Sequence, residues 1–451
     1  MSNNGLKKEL GFSQIVAMAA GGMIGGWMVE IKLWFDLSGP GSAISLITCA
    51  ILVLSLCFIY GEMTAMLPYA GGENVWISNS VNWDIGWFSF WFVMLLYVMG
   101  VPTVTYGIAT MLSYLYPITF IQTKIVAAII LIIWYILSNF EIKVLAKLQN
   151  LLFWIMLVCS IFASITFLTS HNWSLDTLLP LFPKGVEGYS AAVGLLIMKF
   201  IGFDLIPQLS EESNMPRNKL ILAFIASLGV TLLVYVLAVI GIGGIVSSEW
   251  VTQVDVVDPR VADLIGKHWL ALIIVIAGLG ACITTLSGFY LAASRTLFGA
   301  ARQYQVPQWF GKLNKHGQPS NANILVFFAC AYFTIFAPET WLNYIYAIYG
   351  IAAGVVYFLV VVSFVRLRKL HPEWERPFKV KNDKFVAVVA TFFCIWVLVS
   401  AVLAMDKGSW ITLVGYFAAG LLLWLLVKSK QKSDPENWPI EIVNPDNTPI
   451  D

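Results

Sequence analysis

Three ionisable residues, Glu30, Lys199 and Asp204, stand inside or against apolar stretches where a membrane span tolerates few. Lys199 lies in the run LLIMKFIGFDLIPQLSEESNMPRN, residues 195–218, with apolar residues on both sides of it. A charged side chain at the centre of a span costs at least ~2.5–3.5 kcal/mol on insertion scales, so one that is kept there points to a substrate or ion path. The plain alternative is a lysine that snorkels to the interface. Two chemistries suit the amine at depth. It is either a coupling group that carries a proton and pairs with Glu30 or Asp204, or the neutraliser of a substrate carboxylate. Glu30 also has two readings, a partner for that amine or a charge reaching an outer vestibule.

The elements that position these groups are built to break. After Lys199 come Gly202, Asp204 and Pro207, a helix-weakening residue, an ionisable one and one without a backbone N–H. The first apolar stretch, QIVAMAAGGMIGGWMVEIKLWFD, carries Gly21, Gly22, Gly25 and Gly26 at its middle. Each glycine weakens a helix by about 1 kcal/mol relative to alanine. Small residues also let spans pack closely, but four in six positions followed by Glu30, Lys32 and Asp36 favour an interruption. Broken helices are permitted at membrane depth where they are buried in protein or line a cavity.

Composition sets the class. The chain is 59% hydrophobic and 12% charged, with a mean hydropathy of +0.79, whereas soluble domains are about 25% charged. It reads as an all-α polytopic membrane protein. Twelve spans are predicted: Gln14–Trp34, Ala43–Leu67, Ile85–Leu115, Ile125–Leu137, Leu148–Leu168, Ala191–Gln208, Leu220–Val246, His268–Ala300, Ile324–Phe336, Leu342–Leu367, Phe385–Ala404 and Ile411–Val427. With the N-terminus inside, the inner loops collect Lys7, Lys8, Lys143, Lys147, Arg217, Lys219, Arg302, Lys312, Lys315, the basic residues of 366–384 and Lys428, Lys430 and Lys432. The outer loops hold Lys124, Lys184, Arg260, Lys267 and Lys407. That bias places both termini in the cytoplasm of a cell-membrane protein.

The two breaks fall in the first and sixth spans. Corresponding discontinuities in two halves point to an inverted repeat with a substrate site at the midplane, and a repeat of five spans inverts the second half. The expected organisation is a cytoplasmic segment 1–10, repeats at 11–168 and 186–370, trailing helices at 371–427 and a flexible cytoplasmic tail at 428–451. A net charge of +1 gives no reason to expect a nucleic-acid partner. The scattered cysteines and histidines lack metal or redox spacing, so no metal or cofactor is expected, and no grouping at depth resembles an enzyme's nucleophile and base.

Four segments resemble the amino acid-polyamine-organocation (APC) superfamily of permeases, bacterial-type amino acid permeases in particular. They are LKKELGFSQIVAMAAGGMIGG, GEMTAMLPYAGGENVW, IGFDLIPQLSEESNMPRN and SRTLFGAARQYQVPQWFGKLNKHGQPSNA, in the family's order. The resemblance runs from about Leu10 to Leu425. It implies a five-plus-five, LeuT-like fold with discontinuous helices one and six, and transport of an amino acid or an amine derived from one, by proton symport or exchange. On the family's pattern the substrate carboxylate would meet main-chain N–H groups of Ile24, Gly25 and Gly26, flanked by Gly22 and Trp27. Its ammonium would meet the main chain of Met198, Lys199 and Phe200, flanked by Gly202, with Phe203 and Phe289 as apolar walls. Half-helix N-termini favour anions and C-termini cations.

Three departures stand out. Trp27 replaces a small residue and is expected to crowd or reshape the carboxylate cradle, Glu30 and Lys32 replace apolar residues, and Met156 stands near the position of a lysine carried by many proton-coupled or exchanging members. Sodium coupling through Thr284, Thr285 and Ser287, and a permease-like sensor that binds without net transport, stay open. The family's cysteine for a covalent accessory subunit is missing from the loop between helices three and four, so the expected partners are a small substrate, a proton and the lipid bilayer.

Overall fold

A computed structural model describes residue 6, residues 8–336 and residues 341–446. Lys7 and the ends 1–5 and 447–451 of the two terminal segments lie outside the described residues. The helices are α1 (Phe12–Ile24), α2 (Trp27–Ser38), α3 (Ser42–Met66), α4 (Glu73–Ser80), α5 (Trp83–Leu115), α6 (Phe120–Leu137), α7 (Ile142–Leu168), α8 (Gly185–Leu195), α9 (Leu205–Gln208), α10 (Leu220–Gly243), α11 (Ser248–Thr252), α12 (Val257–Leu264), α13 (His268–Arg302), α14 (Ser320–Phe336), α15 (Trp341–Leu370), α16 (Asp383–Ala404) and α17 (Lys407–Ser433). Among the described residues ten segments are long and apolar enough to cross a bilayer, and α1 and α14 are shorter apolar helices. Among the described residues no strand forms, and one isolated bridge joins Leu10 to Ser213.

The surface identifies the solvent. Along α6, Ile121, Ile125, Ile129, Ile132 and Ile136 are exposed in one stripe, and on α17 Leu421, Leu422, Leu425 and Leu426 are exposed together. Helical spacing gathers each set onto one face. Contiguous apolar faces of this kind are unsuited to water and are what a hydrocarbon-facing helix requires. The chain is a polytopic membrane protein.

Its centre is α13, 35 residues long, about 50 Å at 1.5 Å per residue, packed against α5, α7 and α1. Local signals set several ends. Thr119 and Gln122 form a capping box at the start of α6, which satisfies two N–H groups that the helix cannot. Asp406 caps α17 through the Ser409 N–H at 2.7 Å.

The segments that carry the family resemblance are brought together at one end of the bundle. Arg295 of α13 pairs with Glu212 at 2.7 Å, both fully buried, and also donates to Gln318 at 2.8 Å. Arg302 pairs with Glu211 at 2.5 Å. The Glu212 carbonyl accepts from the N–H groups of Glu9 and Leu10, and Asn214 N–H donates to the Leu10 carbonyl, so the chain entering α1 is clipped to the chain leaving α9. Glu62 of α3 is held by Arg368 at 2.5 Å and by the Val380 N–H at 2.7 Å.

Several expectations are corrected. The sixth apolar segment begins at Gly185 rather than Ala191, because small and apolar residues extend the helix back to the Lys184 turn. The short helices α4, α11 and α12 lie in stretches read as loops. The tail is not free from Lys428 onward. Helix α17 continues to Ser433, and beyond it Val443 is buried while its carbonyl accepts from Asn79 Nδ2 of α4 at 2.9 Å.

Candidate functional site

Both interruptions are present. Helix α1 ends at Ile24 and α2 starts at Trp27, with Gly25 between them at φ +52°, ψ −151°. An L-residue with a side chain adopts that conformation only under strain. Gly21 and Gly22 stay helical and serve close packing instead, since a Cβ on Gly21 would stand 2.8 Å from Thr284 Cβ. In the sixth segment α8 passes into a 3-10 turn over Leu196–Phe200, and α9 resumes only at Leu205. Gly202, at φ +137°, lies between them, and a Cβ on it would come 2.7 Å from Met23 N and 3.0 Å from Ala19 O. The two breaks therefore touch backbone to backbone, which a glycine alone permits.

Side chains from other helices satisfy part of the freed main chain. Thr285 of α13 accepts from Gly25 N–H at 3.0 Å and donates to the Gly21 carbonyl at 2.5 Å. The Tyr235 hydroxyl of α10 lies 2.5 Å from the Met23 carbonyl, 3.0 Å from that of Ile24 and 3.4 Å from that of Lys199. It has one proton to give and serves one of these acceptors at a time.

Lys199 Nζ pairs with Glu30 Oε2 at 2.6 Å, each side chain about 3% exposed. Glu30 Oε2 also accepts from the Tyr346 hydroxyl of α15 at 2.5 Å, and Tyr346 is in turn contacted by Trp34 Nε1 at 3.3 Å. The ammonium lies 5.6 Å from the ring centroids of both Trp34 and Tyr235, within cation–π range. A buried ion pair offsets its desolvation only with good geometry and further hydrogen bonds; the short contact, Tyr346 and the two rings supply these. Lys199 does not reach an interface, and Glu30 is buried, not a vestibule charge.

The pair lines a cavity of about 20 Å³ whose wall includes Gly22, Gly25, Met198, Thr285, Phe289 and Tyr349. That is room for about one water and far below the ~300–1,000 Å³ of most ligand pockets, so this conformation is closed around the pair. Of the residues singled out by sequence, Gly22, Gly25, Glu30, Met198, Lys199 and Phe289 are at the wall. Ile24, Gly26, Phe200, Gly202 and Phe203 are buried behind it.

Trp27 does not crowd the cradle. Its ring leaves the cavity, and Nε1 donates to Asp258 Oδ1 of α12 at 3.1 Å. Burial, opposed in part by that hydrogen bond, lifts the Asp258 carboxyl to about 7. Lys32 pairs with Asp255 at 2.6 Å. Asp204 is not beside Lys199 either. Its carboxylate accepts from Gly202 N–H at 2.8 Å and from the Tyr357 hydroxyl at 2.9 Å, tying off the helix-six break. The hydroxyls considered for sodium each donate to a protein oxygen, which uses the proton and leaves oxygen lone pairs for a cation. Thr284 bonds to the Ala281 carbonyl at 2.7 Å, Thr285 as described, and Ser287 bonds to Gln149 Oε1 at 2.7 Å.

A family model described as amino acid permease matches residues 10–427, nearly the whole chain. The chain belongs to the amino acid permease family. The permease is 25% identical over 445 residues to a branched-chain amino acid permease of Bacillus subtilis (strain 168), covering 94% of this chain and 91% of that one. It is 23% identical to a gamma-aminobutyric acid permease of the same organism, covering 96% and 95%, and 20% identical to its aspartate-proton symporter, covering 97% and 86%. It is a transporter rather than an enzyme.

The tyrosines of the site were missed in the sequence. Tyr346, Tyr349 and Tyr357 follow i, i+3, i+11 spacing, which puts them on one helix face; that stripe was a usable signal in the permease. Tyr235 gave none, being one aromatic in an apolar span.

Proposed function

We propose that the chain is a secondary active transporter that moves amino acids, or amines derived from them, across the cell membrane by alternating access. The observation that carries this reading is the meeting of the two helix breaks, Gly202 against Met23, beside a cavity lined by the Lys199–Glu30 pair. Freed backbone at membrane depth is tolerated where it lines such a cavity, and facing discontinuous helices are how transporters build a midplane site. The names of the relatives, which include carriers of branched-chain amino acids, gamma-aminobutyric acid and aspartate, support the substrate class.

On this reading α1 with α2 is the first span and α8 to α9 the sixth of twelve. Residues 11–168 and 186–370 form five-plus-five inverted repeats, 371–427 supply two trailing helices, and both termini face the cytoplasm. The carboxylate contacts are the main chain at Gly25 and Gly26 with their neighbours Gly22, Ile24 and Trp27. The ammonium contacts are the main chain at Met198, Lys199 and Phe200 beside Gly202, with Phe289 at the cavity wall and Phe203 packed behind it. Movement is coupled to a proton or proceeds by exchange, with Lys199, Glu30 and Asp204 as the ionisable groups of the two breaks. The test is counterflow of labelled amino acids in proteoliposomes, with and without an imposed pH gradient. Binding without exchange of label would replace transport by sensing. Exchange that ignores the gradient would remove the proton.

A further inference from the structure

The Lys199–Glu30 pair is only half used by the protein. Glu30 spends Oε2 on Lys199 and Tyr346, while Oε1 lies 3.7 Å and 3.8 Å from the points where Cβ atoms on Gly25 and Gly26 would stand. The carboxylate therefore sits over the glycines that open α2, in the place that the family pattern gives to a substrate's carboxylate. Lys199 has three N–H donors, of which the Glu30 contact occupies one. Both side chains are at the cavity wall, and they are its two charged residues.

A second observation points to a ligand. The Tyr349 hydroxyl belongs to a side chain about 1% exposed and has no hydrogen-bond partner among the described residues, yet Tyr349 lines the same cavity. It packs over Gly100, where any Cβ would run into both that hydroxyl and the Phe289 ring. A buried hydroxyl without a partner is costly unless something else supplies one.

We propose that Lys199 and Glu30 select the substrate by its net charge, so that the site takes a net-neutral zwitterionic amino acid and refuses the corresponding amine or carboxylic acid. When the cavity widens to admit it, the substrate carboxylate joins Lys199 Nζ and the substrate ammonium joins Glu30 Oε1, closing a ring of four alternating charges, and Tyr349 gives the carboxylate a further donor. The wall with the pair intact carries no net charge. A zwitterion leaves that unchanged, whereas an amine leaves one positive charge and a carboxylic acid one negative charge uncompensated in a desolvated space, where unpaired charge is heavily penalised. Glu30 filling the glycine cradle forces this exchange of roles, since the substrate carboxylate is moved from main-chain N–H groups to a lysine. This inference rests on the transporter reading, replaces its main-chain contacts for the two charged ends of the substrate by Lys199 and Glu30, and narrows it from amino acids or amines to amino acids alone.

The test uses the full chain in nanodiscs and proteoliposomes and probes of shared carbon skeletons. They are L-alanine with ethylamine and propionate, and L-leucine with 3-methylbutylamine and 4-methylpentanoate. Ligands that bind the folded state raise its thermal midpoint. The wild type is expected to respond to the amino acids and not to the amines or acids. Lys199→Met, which leaves the wall negative, should shift preference toward the amines, and Glu30→Gln, which leaves it positive, toward the acids, each changing the ratio by roughly tenfold or more. If either single variant fails to fold, the neutral double variant with both changes and Tyr349→Phe serve instead; both should lose amino acid binding while remaining folded. A wild type that takes amines or acids as well as amino acids, or variants that keep the wild-type preference, would overturn the charge selection and leave transport standing. Amino acid binding without counterflow would overturn transport and leave the selection standing.

Discussion

Asp258 supplies a pH test of the fold outside the spans. Its side chain is buried in α12, Oδ1 accepts from Trp27, and Oδ2 has no partner among the described residues. Burial raises the carboxyl from 3.8 to about 7. A carboxyl whose folded value lies above its unfolded one binds more protons in the native state between the two values, so stability falls as pH rises through that window. Between pH 6 and pH 8 the native group holds on average about half a proton and the unfolded one almost none. Two pH units at ~1.36 kcal/mol per unit, halved, give a loss of about 1.4 kcal/mol. Asp258→Asn keeps an oxygen for Trp27 and cannot ionise. It leaves an unpartnered NH₂ where Oδ2 was, so its absolute stability is set by two opposing changes, and the slope is the clean quantity. The assay is the thermal midpoint of wild type and variant in nanodiscs at several pH values from 6 to 8. Every other ionisable group is common to both proteins and cancels in the difference, which should move in the variant's favour as pH rises. A constant difference across the range would refute the reasoning.

Three further substitutions probe the scaffold. Arg295→Met leaves Glu212 charged and buried without its partner and should cost about 3–5 kcal/mol; adding Glu212→Gln should recover part of it, and a single variant as stable as wild type would show that the pair is not needed. Gly202→Ala puts a side chain at φ +137° against Met23 N, costing about 1–3 kcal/mol from backbone strain alone, and should lower both the midpoint and counterflow; wild-type values would show that the breaks need not touch. Tyr235→Phe removes the one donor that the Met23 and Ile24 carbonyls share and should cost about 1–3 kcal/mol, read in the same unfolding assay, whereas no loss would mean that another donor replaces it.

The breaks were legible because their causes are local. Gly25 takes a left-handed conformation and Gly202 a positive φ, and a run of glycines in an apolar stretch or a Gly–Asp–Pro spacing announces that without knowledge of neighbours. The pairing of Lys199 was legible only to the extent that a buried ammonium needs a carboxylate. Glu30 and Asp204 were equal candidates in one dimension, and the choice fell to packing. Asp204 lies five residues on, past the turn, and folds back to its own Gly202 N–H and to Tyr357, while Glu30 crosses from the other break. Trp27 misled for the same reason. Its size was plain, but its direction depends on α12, which lay in a stretch read as loop.

Trp27, Glu30 and Lys32 all break the family pattern within one half-helix, and the structure gives each a separate partner. At about 100° per residue, Trp27 and Glu30 stand about 60° apart and Lys32 about 140° from Trp27, once the break at Gly25 and Gly26 sets the start of α2. Trp27 reaches Asp258 and Lys32 reaches Asp255, on either side of the start of α12, while Glu30 turns inward to Lys199. The exposed Lys32 pair adds little by itself, but together with the buried Trp27 contact it fixes α2 to the loop helix at two points. A displacement of α2 must therefore carry α12 with it or break the Trp27 bond. The three unusual residues thus share one short helix, which links the charged pair to the packing of a loop outside the spans.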